Sequence, residues 1–446
     1  MGRTTVETAG VDNLSDITVA VYGLGKMGLP LAAVLADAGA QVRGVDIDAD
    51  TVAAVNEGDS PVAEPGLQDL LDEHAGSALT ATTDGRNAAR GSDVMIVLVP
   101  TLIDDAATPD LAPVLAAAET ISGGVEAGDM VILESTVPPG TTAGEFVDAI
   151  EPANLTAGED FHAAHCPERT SSGRVLEDLT ESYPKIVGGL TSAGTEAAAD
   201  FYRTFNNPGV IELPDATAAE AVKVFEGVYR DVNIALANEL AKACEEWGLD
   251  AAAVFDSANT QPYCNIHDPG VGVGGHCIPV YPHFVMNRAE DTPLLRTARQ
   301  VNEGMPEHTV TITESLLREN DVPTESASVL VLGLTYRPGV DETRFTPTFD
   351  VVNLLQERGA DVWAHDPLLS PTAIEDSGAE AATNPFEQAW DAVVLATGHE
   401  EYESLDLERL SETMRTPVLV DGRNFFKPEA VTAFTYACIG DGTTGC

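Results

Sequence analysis

The chain has 446 residues, 44% of them hydrophobic, enough for two or three domains each with its own core. Lys and Arg number 23 against 72 Asp and Glu, and the resulting net charge of -49 argues against nucleic acid or an anionic membrane as a partner. The acids are spread among apolar segments, which excludes a disordered acidic tail and fits a salt-adapted surface, since near 1 M salt the Debye length falls to ~3 Å.

Residues 1–15 read as a polar tail without the basic-then-apolar pattern of a signal peptide, and no apolar run reaches membrane-spanning length. Apolar, β-branched runs at 17–22, 41–46, 94–99, 130–134, 161–165 and 185–188 alternate with Ala-rich helical patterns such as Pro30–Ala38. This is the pattern of a parallel, doubly wound sheet. From Asp215 to Trp247 one long helix follows, with Thr217 and Glu220 as a capping box and Gly248 as its stop. At 1.5 Å per residue it spans ~45–50 Å, enough to link two domains and supply a subunit interface. A second alternating series begins at Ser328–Leu332 and continues with 361–365, 392–396 and 417–421. The expected fold is α/β: two Rossmann-like doubly wound domains joined by a long central helix, divided as 1–212, 213–322 and 323–446.

The first strand runs into Gly23-Leu24-Gly25-Lys26-Met27-Gly28, which opens the first helix. In this context GxGxxG is a dinucleotide loop: one glycine for the turn, one for approach of the pyrophosphate, one for helix packing. The second strand ends at Asp46, whose carboxylate would accept from a ribose 2′-hydroxyl and repel a 2′-phosphate, so the expected cofactor is NAD. The second series has a single glycine at the equivalent turn, Gly333, which leaves a crevice for a different nucleotide.

Only five lysines occur in the chain, so one inside a motif is informative. Lys223, Gly227 and Arg230 lie at i, i+4 and i+7 on the long helix, and Val222 and Phe225 give the lysine a core-like flank. The six cysteines, Cys166, Cys244, Cys264, Cys277, Cys438 and Cys446, form no CxxC pair and no metal-ligand spacing. Free thiols, no metal and a cytoplasmic location follow as expectations. Most free cysteines are buried and inert, which is the reading for five of them. Cys277 differs, because it ends the run from Asn265 through Gly270, Gly272, Gly274 and Gly275 to His276. Such glycine density would let backbone wrap a ligand and let N–H groups stabilise a thiolate. His276 invites a Cys–His pair, although adjacent side chains usually point apart.

Taken together these segments resemble the UDP-glucose and GDP-mannose dehydrogenase family over about residues 16–427. The matching motifs are the dinucleotide loop, Glu64-Pro65-Gly66-Leu67, Val99-Pro100-Thr101, Ser135-Thr136-Val137-Pro138-Pro139-Gly140 and Cys166-Pro167-Glu168-Arg169. They continue with Gly274-Gly275-His276-Cys277, Gly333-Leu334-Thr335-Tyr336-Arg337, Asp341-Glu342-Thr343-Arg344 and His365-Asp366-Pro367. Within the family, Arg230-Asp231-Val232-Asn233 and the cysteine loop look most like UDP-N-acetylmannosamine dehydrogenases, with UDP-N-acetylglucosamine 6-dehydrogenases next.

The resemblance implies oxidation of a UDP-sugar C6 alcohol by two NAD+, through an aldehyde and a thioester on Cys277. Lys223 would stabilise the oxyanion, Thr136 would hold a water and Glu168 would act as acid or base. Lys26, Met27, Thr101 and Thr136 would join the glycine loop and Asp46 around NAD. Glu168, Arg169, Lys223, Arg230, Gly274, Arg337 and Arg344 would contact the sugar nucleotide. The implied domains are NAD-binding, central and dimerising, and nucleotide-sugar-binding, in a homodimeric enzyme of polysaccharide biosynthesis. Two positions depart from the family pattern: Gly227 stands where Asn is usual and Tyr281 where Asp is usual. Two rival readings remain, a hydroxyacid dehydrogenase of the 6-phosphogluconate type, which needs no thiol, and a non-catalytic NAD-binding protein.

Overall fold

The computed structural model describes residues 13–104 and 106–443, so most of the expected tail, and Cys446, lie outside the described residues. The chain divides into two compact units. One ends at Glu226 and takes in His283–Glu290; the other comprises Gly227–Pro282 and the chain from Asp291 onward.

The strands of the first unit are β1 (Thr18–Tyr22), β2 (Gln41–Val45), β3 (Leu79–Thr82), β4 (Val94–Val97), β5 (Met130–Leu133), β6 (His162–His165), β7 (Lys185–Gly189) and β8 (Val210–Glu212). They form one sheet in the order β8-β7-β6-β5-β4-β1-β2-β3. Every residue of β4 and β5 is buried, as expected of central strands covered on both faces. The helix Gly28–Asp37 buries all but its last residue against this sheet. Six strands are parallel, but β7 runs antiparallel to β6, with Ala164 opposite Gly189. An antiparallel neighbour needs no crossover helix, and segment 166–184 between them holds only a short helical turn and a π-helical turn. The wholly parallel sheet expected from the alternation is corrected at this edge. The edge strands β3 and β8 and a small hairpin, Leu102–Ile103 with Pro109–Asp110, were not among the expected elements.

The second unit holds β9 (Ser328–Leu332), β10 (Asp361–His365), β11 (Glu380–Ala381), β12 (Ala392–Leu395), β13 (Val418–Asp421) and β14 (Thr435–Cys438). All pair in parallel, in the order β11-β10-β9-β12-β13-β14. This is the strand order of the first six strands of the first unit, and details repeat with it. Thr18 N donates to Asp93 Oδ2 at 2.8 Å, and Ser328 N to Asp391 Oδ2 at 2.8 Å. Gly23 N donates to the Val45 carbonyl at 2.8 Å, and Gly333 N to that of His365 at 2.9 Å.

The long helix covers Ala216–Trp247, close to its expected bounds. Its N-terminus is capped by Asp215, whose Oδ1 accepts from Ala218 N at 2.8 Å. The capping box of Thr217 and Glu220 is therefore corrected, because Glu220 turns its carboxylate inward. Phe225, expected to be core-like, is exposed.

Candidate active site

In the first unit each glycine of the dinucleotide loop has a separate cause. Gly23 sits at φ +98°, and a Cβ there would lie 2.2 Å from the Leu98 carbonyl oxygen. A Cβ on Gly28 would lie 1.9 Å from the carbonyl oxygen of Gly23. Gly25 alone faces open space, with nothing within 4 Å of where its Cβ would be. Protein packing thus requires Gly23 and Gly28, whereas Gly25 leaves room for a ligand beside the N-terminus of the helix Gly28–Asp37. Asp46, at the end of β2, accepts from Leu24 N at 2.8 Å and from Asp48 N at 2.9 Å, so it shapes the loop it borders. This geometry fits an NAD pyrophosphate and ribose. Lys26 is exposed, and the Met27 thioether accepts from Thr170 Oγ1 at 3.2 Å.

The adjacent strand ends gather the other expected residues of this unit. Thr101 Oγ1 donates to the Thr136 carbonyl, and Ser135 Oγ accepts from Val99 N at 2.8 Å, joining the two loops. Glu220 anchors the same loop from the long helix. It is fully buried and accepts from Gly140 N at 2.5 Å and from Thr142 N at 2.7 Å, and also from Thr142 Oγ1. Burial pushes its carboxyl up to about 7 in spite of these donors. One turn further along, Lys223 is 9% exposed, and no described carboxylate lies within ion-pair reach of its Nζ. An ammonium buried without a counter-ion is suited to an anionic ligand or intermediate.

Glu168 is half-buried beyond the end of β6, and its Oε1 accepts from Thr170 N. The local arginines have other partners: Arg169 meets Glu226 at 2.6 Å and Arg174 meets Glu177 at 3.2 Å. Arg169 also stacks on Tyr183, 5.1 Å from the ring centroid, so it braces its own loop.

In the second unit the cysteine loop corrects the sequence reading of its glycines. A Cβ on Gly274 would lie 2.7 Å from the Phe345 carbonyl oxygen, and one on Gly275 would lie 2.8 Å from the Tyr336 ring. Gly270 and Gly272 are similarly crowded by Arg423 and Pro347. The glycines allow the loop to pack against protein; they do not form an open cradle. Gly275 N donates to the Arg344 carbonyl at 2.9 Å, and His276 pairs with Glu342. The imidazole is thus turned to a carboxylate, and the suggested Cys–His pair gives way to it. Cys277 is a half-buried free thiol whose carbonyl accepts from Val280 N and Tyr281 N, at 3.1 and 3.0 Å. The two departures from the family pattern meet in space: a Cβ on Gly227 would lie 2.3 Å from Cδ2 of Tyr281.

At the strand ends of this unit, Asp366 accepts from Leu334 N at 2.7 Å, Thr335 N at 3.1 Å and Leu368 N at 2.9 Å. Its fourth partner is the fully buried His399, 3.1 Å away. Burial alone would raise this carboxyl, but the imidazole and the amides outweigh it and hold it down at about 2. His399, missed in the sequence, fixes the turn that presents Arg337. Arg337 and Arg344 are both exposed, with no ion-pair partner among the described residues. Arg230 is exposed too, which departs from the buried face expected for it beside Lys223.

Family models for UDP-glucose/GDP-mannose dehydrogenases match three segments: the NAD binding domain at 17–206, the central domain at 217–304 and the UDP binding domain at 330–428. The chain is 36% identical to the UDP-N-acetyl-D-mannosamine dehydrogenase of Pyrococcus horikoshii, over 95% of this chain and 99% of that one. It is 35% identical to an NDP-N-acetyl-D-galactosaminuronic acid dehydrogenase of Ralstonia nicotianae, over 93% and 98% of the two chains. A solved structure of the Pyrococcus horikoshii enzyme superposes with a TM-score of 0.86 at 34% identity, covering 96% of this chain and 100% of that one. The NDP-N-acetyl-D-galactosaminuronic acid dehydrogenase of Methanosarcina mazei gives 0.86 at 30% identity, covering 96% of each chain.

Proposed function

Because this chain belongs to the UDP-glucose/GDP-mannose dehydrogenase family, we propose that it oxidises the C6 alcohol of UDP-N-acetyl-D-mannosamine to the carboxylate, through a thioester on Cys277. Membership makes it an NAD-dependent UDP-sugar dehydrogenase. The choice of sugar is supported by its likeness to UDP-N-acetyl-D-mannosamine dehydrogenases of Pyrococcus horikoshii and Methanococcus vannielii.

The observation that carries the nucleophile is thiol burial. Cys166, Cys244 and Cys438 are buried, and desolvation pushes all three thiols up, away from the reactive thiolate. Among the described cysteines only Cys264 and Cys277 are half-exposed, and Cys277 ends the fastened glycine loop.

In this reading the bound cofactor would supply hydride acceptance, one NAD+ molecule for each of the two oxidations of a sugar. Gly25 would leave room for its pyrophosphate, and Asp46 would accept from a ribose hydroxyl. The C6 alcohol loses a proton and a hydride to become an aldehyde. The Cys277 thiolate then adds to the aldehyde carbon, and the resulting oxyanion is stabilised by the Lys223 ammonium. Loss of a second hydride leaves the thioester. Water held by Thr136, its proton taken by Glu168, adds to the thioester carbon, the C–S bond breaks and the thiolate returns. One alcohol and one water become a carboxylate, with four electrons removed as two hydrides. Arg337 and Arg344 bind the diphosphate. Arg169 and Gly274 support the loops around the sugar, and Arg230 contributes positive charge from the long helix.

The same reading takes 1–212, 213–322 and 323–446 as the NAD-binding, central and nucleotide-sugar domains. It pairs two copies through the exposed Phe225, Tyr229, Leu236 and Trp247 of the long helix. It places the enzyme in the cytoplasm of a salt-adapted cell, making a uronic acid donor for polysaccharide biosynthesis. Activity should therefore require molar salt.

The test is a panel of UDP- and GDP-sugars in molar salt, followed by NADH absorbance. Two NADH per sugar are expected, with the highest kcat/KM for UDP-N-acetyl-D-mannosamine. Cys277→Ala should abolish acid formation, and Cys264→Ala should leave it. One NADH per sugar with free aldehyde accumulating would overturn the four-electron reaction, and a preference for UDP-glucose would overturn the choice of sugar.

A further inference from the structure

The loop that carries Cys277 is fastened to the long helix by two asparagines. Asn233 donates to the Asn265 carbonyl at 3.0 Å and accepts from His267 N at 3.2 Å. Asn238 accepts from Gly270 N at 2.9 Å while donating to Asn302 at 2.9 Å. A third fastening is steric. At Gly227 the helix carries no side chain, and the space is filled by the ring of Tyr281, which is 5% exposed. A Cβ at 227 would lie 2.3 Å from ring atom Cδ2, 3.1 Å from Cγ and 3.2 Å from Cε2. Separations this short cannot be met without moving the ring.

Tyr281 is also one tight turn from the thiol. Its N–H and that of Val280 donate to the Cys277 carbonyl, so the turn from 277 to 281 is a hydrogen-bonded unit. A ring held against the helix therefore holds the turn, and the turn holds the cysteine.

We infer that Tyr281, seated in the notch at Gly227, is a positioning residue that sets where the Cys277 sulfur stands. The ring acts through the backbone of its own turn, and the notch is shaped for it. This rests on Cys277 as the nucleophile, but the two claims can fail separately, because thiol placement can be read without turnover.

The experiment measures iodoacetamide alkylation of each cysteine by mass spectrometry in the intact protein, alongside thermal unfolding and kcat. Cys264, the other half-buried thiol among the described residues, serves as the internal control. Tyr281→Ala should change the Cys277 alkylation rate several-fold and leave that of Cys264 unchanged. It should also lower kcat by about a hundredfold, as a misplacement near 1 Å does, with the KM for NAD held. Tyr281→Phe, which keeps the ring, should restore the parent alkylation rate of Cys277. Gly227→Ala should reproduce the Tyr281→Ala change by displacing the ring, and the double variant should be no worse than Tyr281→Ala alone. If Gly227→Ala does not fold, Tyr281→Ala decides the matter. An unchanged Cys277 rate in Tyr281→Ala, or equal changes at Cys264, would overturn the inference. Acid formation surviving in Cys277→Ala would instead overturn the nucleophile and leave the alkylation result to judge positioning.

Discussion

Glu220 offers a sharp test of how the first unit is held together. Its carboxyl has no exposure and is pushed from 4.5 up to about 7 by burial. The folded chain therefore keeps a proton that the unfolded chain releases between those values. The associated stability is fully present below pH 4.5 and is lost as pH rises through 7. At 1.36 kcal/mol per pH unit, a shift of roughly 2.5 units bounds the effect at ~3 kcal/mol. Glu220→Gln cannot titrate, and its amide NH2 replaces one of the two oxygens that receive Gly140 N, Thr142 N and Thr142 Oγ1. A donor facing a donor costs about 1–3 kcal/mol. The variant should thus be clearly less stable than the parent at pH 5, and the gap should narrow steadily toward pH 8. Urea unfolding of both proteins across this range, in constant molar salt, reads the difference directly, because titrations elsewhere cancel. Parallel stability curves would refute the assignment of the pH dependence to this carboxyl.

Other substitutions separate packing from binding. Gly28→Ala should unfold the dinucleotide loop and abolish NAD binding, because its Cβ meets backbone; Gly25→Ala should keep the parent Tm yet weaken NAD by about tenfold, ~1.4 kcal/mol, by titration. Lys185→Met strips the partner, 2.9 Å away, from the fully buried Glu134 and should cost ~3–5 kcal/mol in urea unfolding, whereas adding Glu134→Gln should recover much of that. Glu168→Gln should give a burst of NADH and a covalent adduct on Cys277 visible by mass spectrometry; parent-rate turnover would remove Glu168 from the base role.

The central strands were legible because burial on both faces demands continuous apolar runs, as in Met130-Val131-Ile132-Leu133. Leu79–Thr82 and Val210–Glu212 were not, since an edge strand needs few apolar residues and these carry polar ones. Glu220 shows a different limit. A Thr and a Glu three residues apart spell a capping box, but the helix starts two residues earlier than that box needs, and the carboxylate serves a loop 80 residues away. The glycines before Cys277 were recognised as necessary, yet the letter does not say which side is crowded, and here it is Tyr336 and Phe345. Lys223 was correctly expected to be buried, although its neighbour Phe225 faces outward. His399 belongs to no motif, and only the fold brings it to Asp366.

The repeated strand order sets two aspartates in equivalent places, and they differ in spare valence. A carboxylate offers about four lone-pair sites. Asp366 takes three amides and an imidazole and is only 4% exposed, so it serves as a building element. Asp46 takes two amides among the described residues, which leaves about half of its capacity for a visitor. The same topology thus produces one carboxylate that can greet a hydroxyl and one that cannot, and position alone does not tell them apart. Counting partners together with burial does, and both can be read for any paired α/β unit before a ligand has been offered to it.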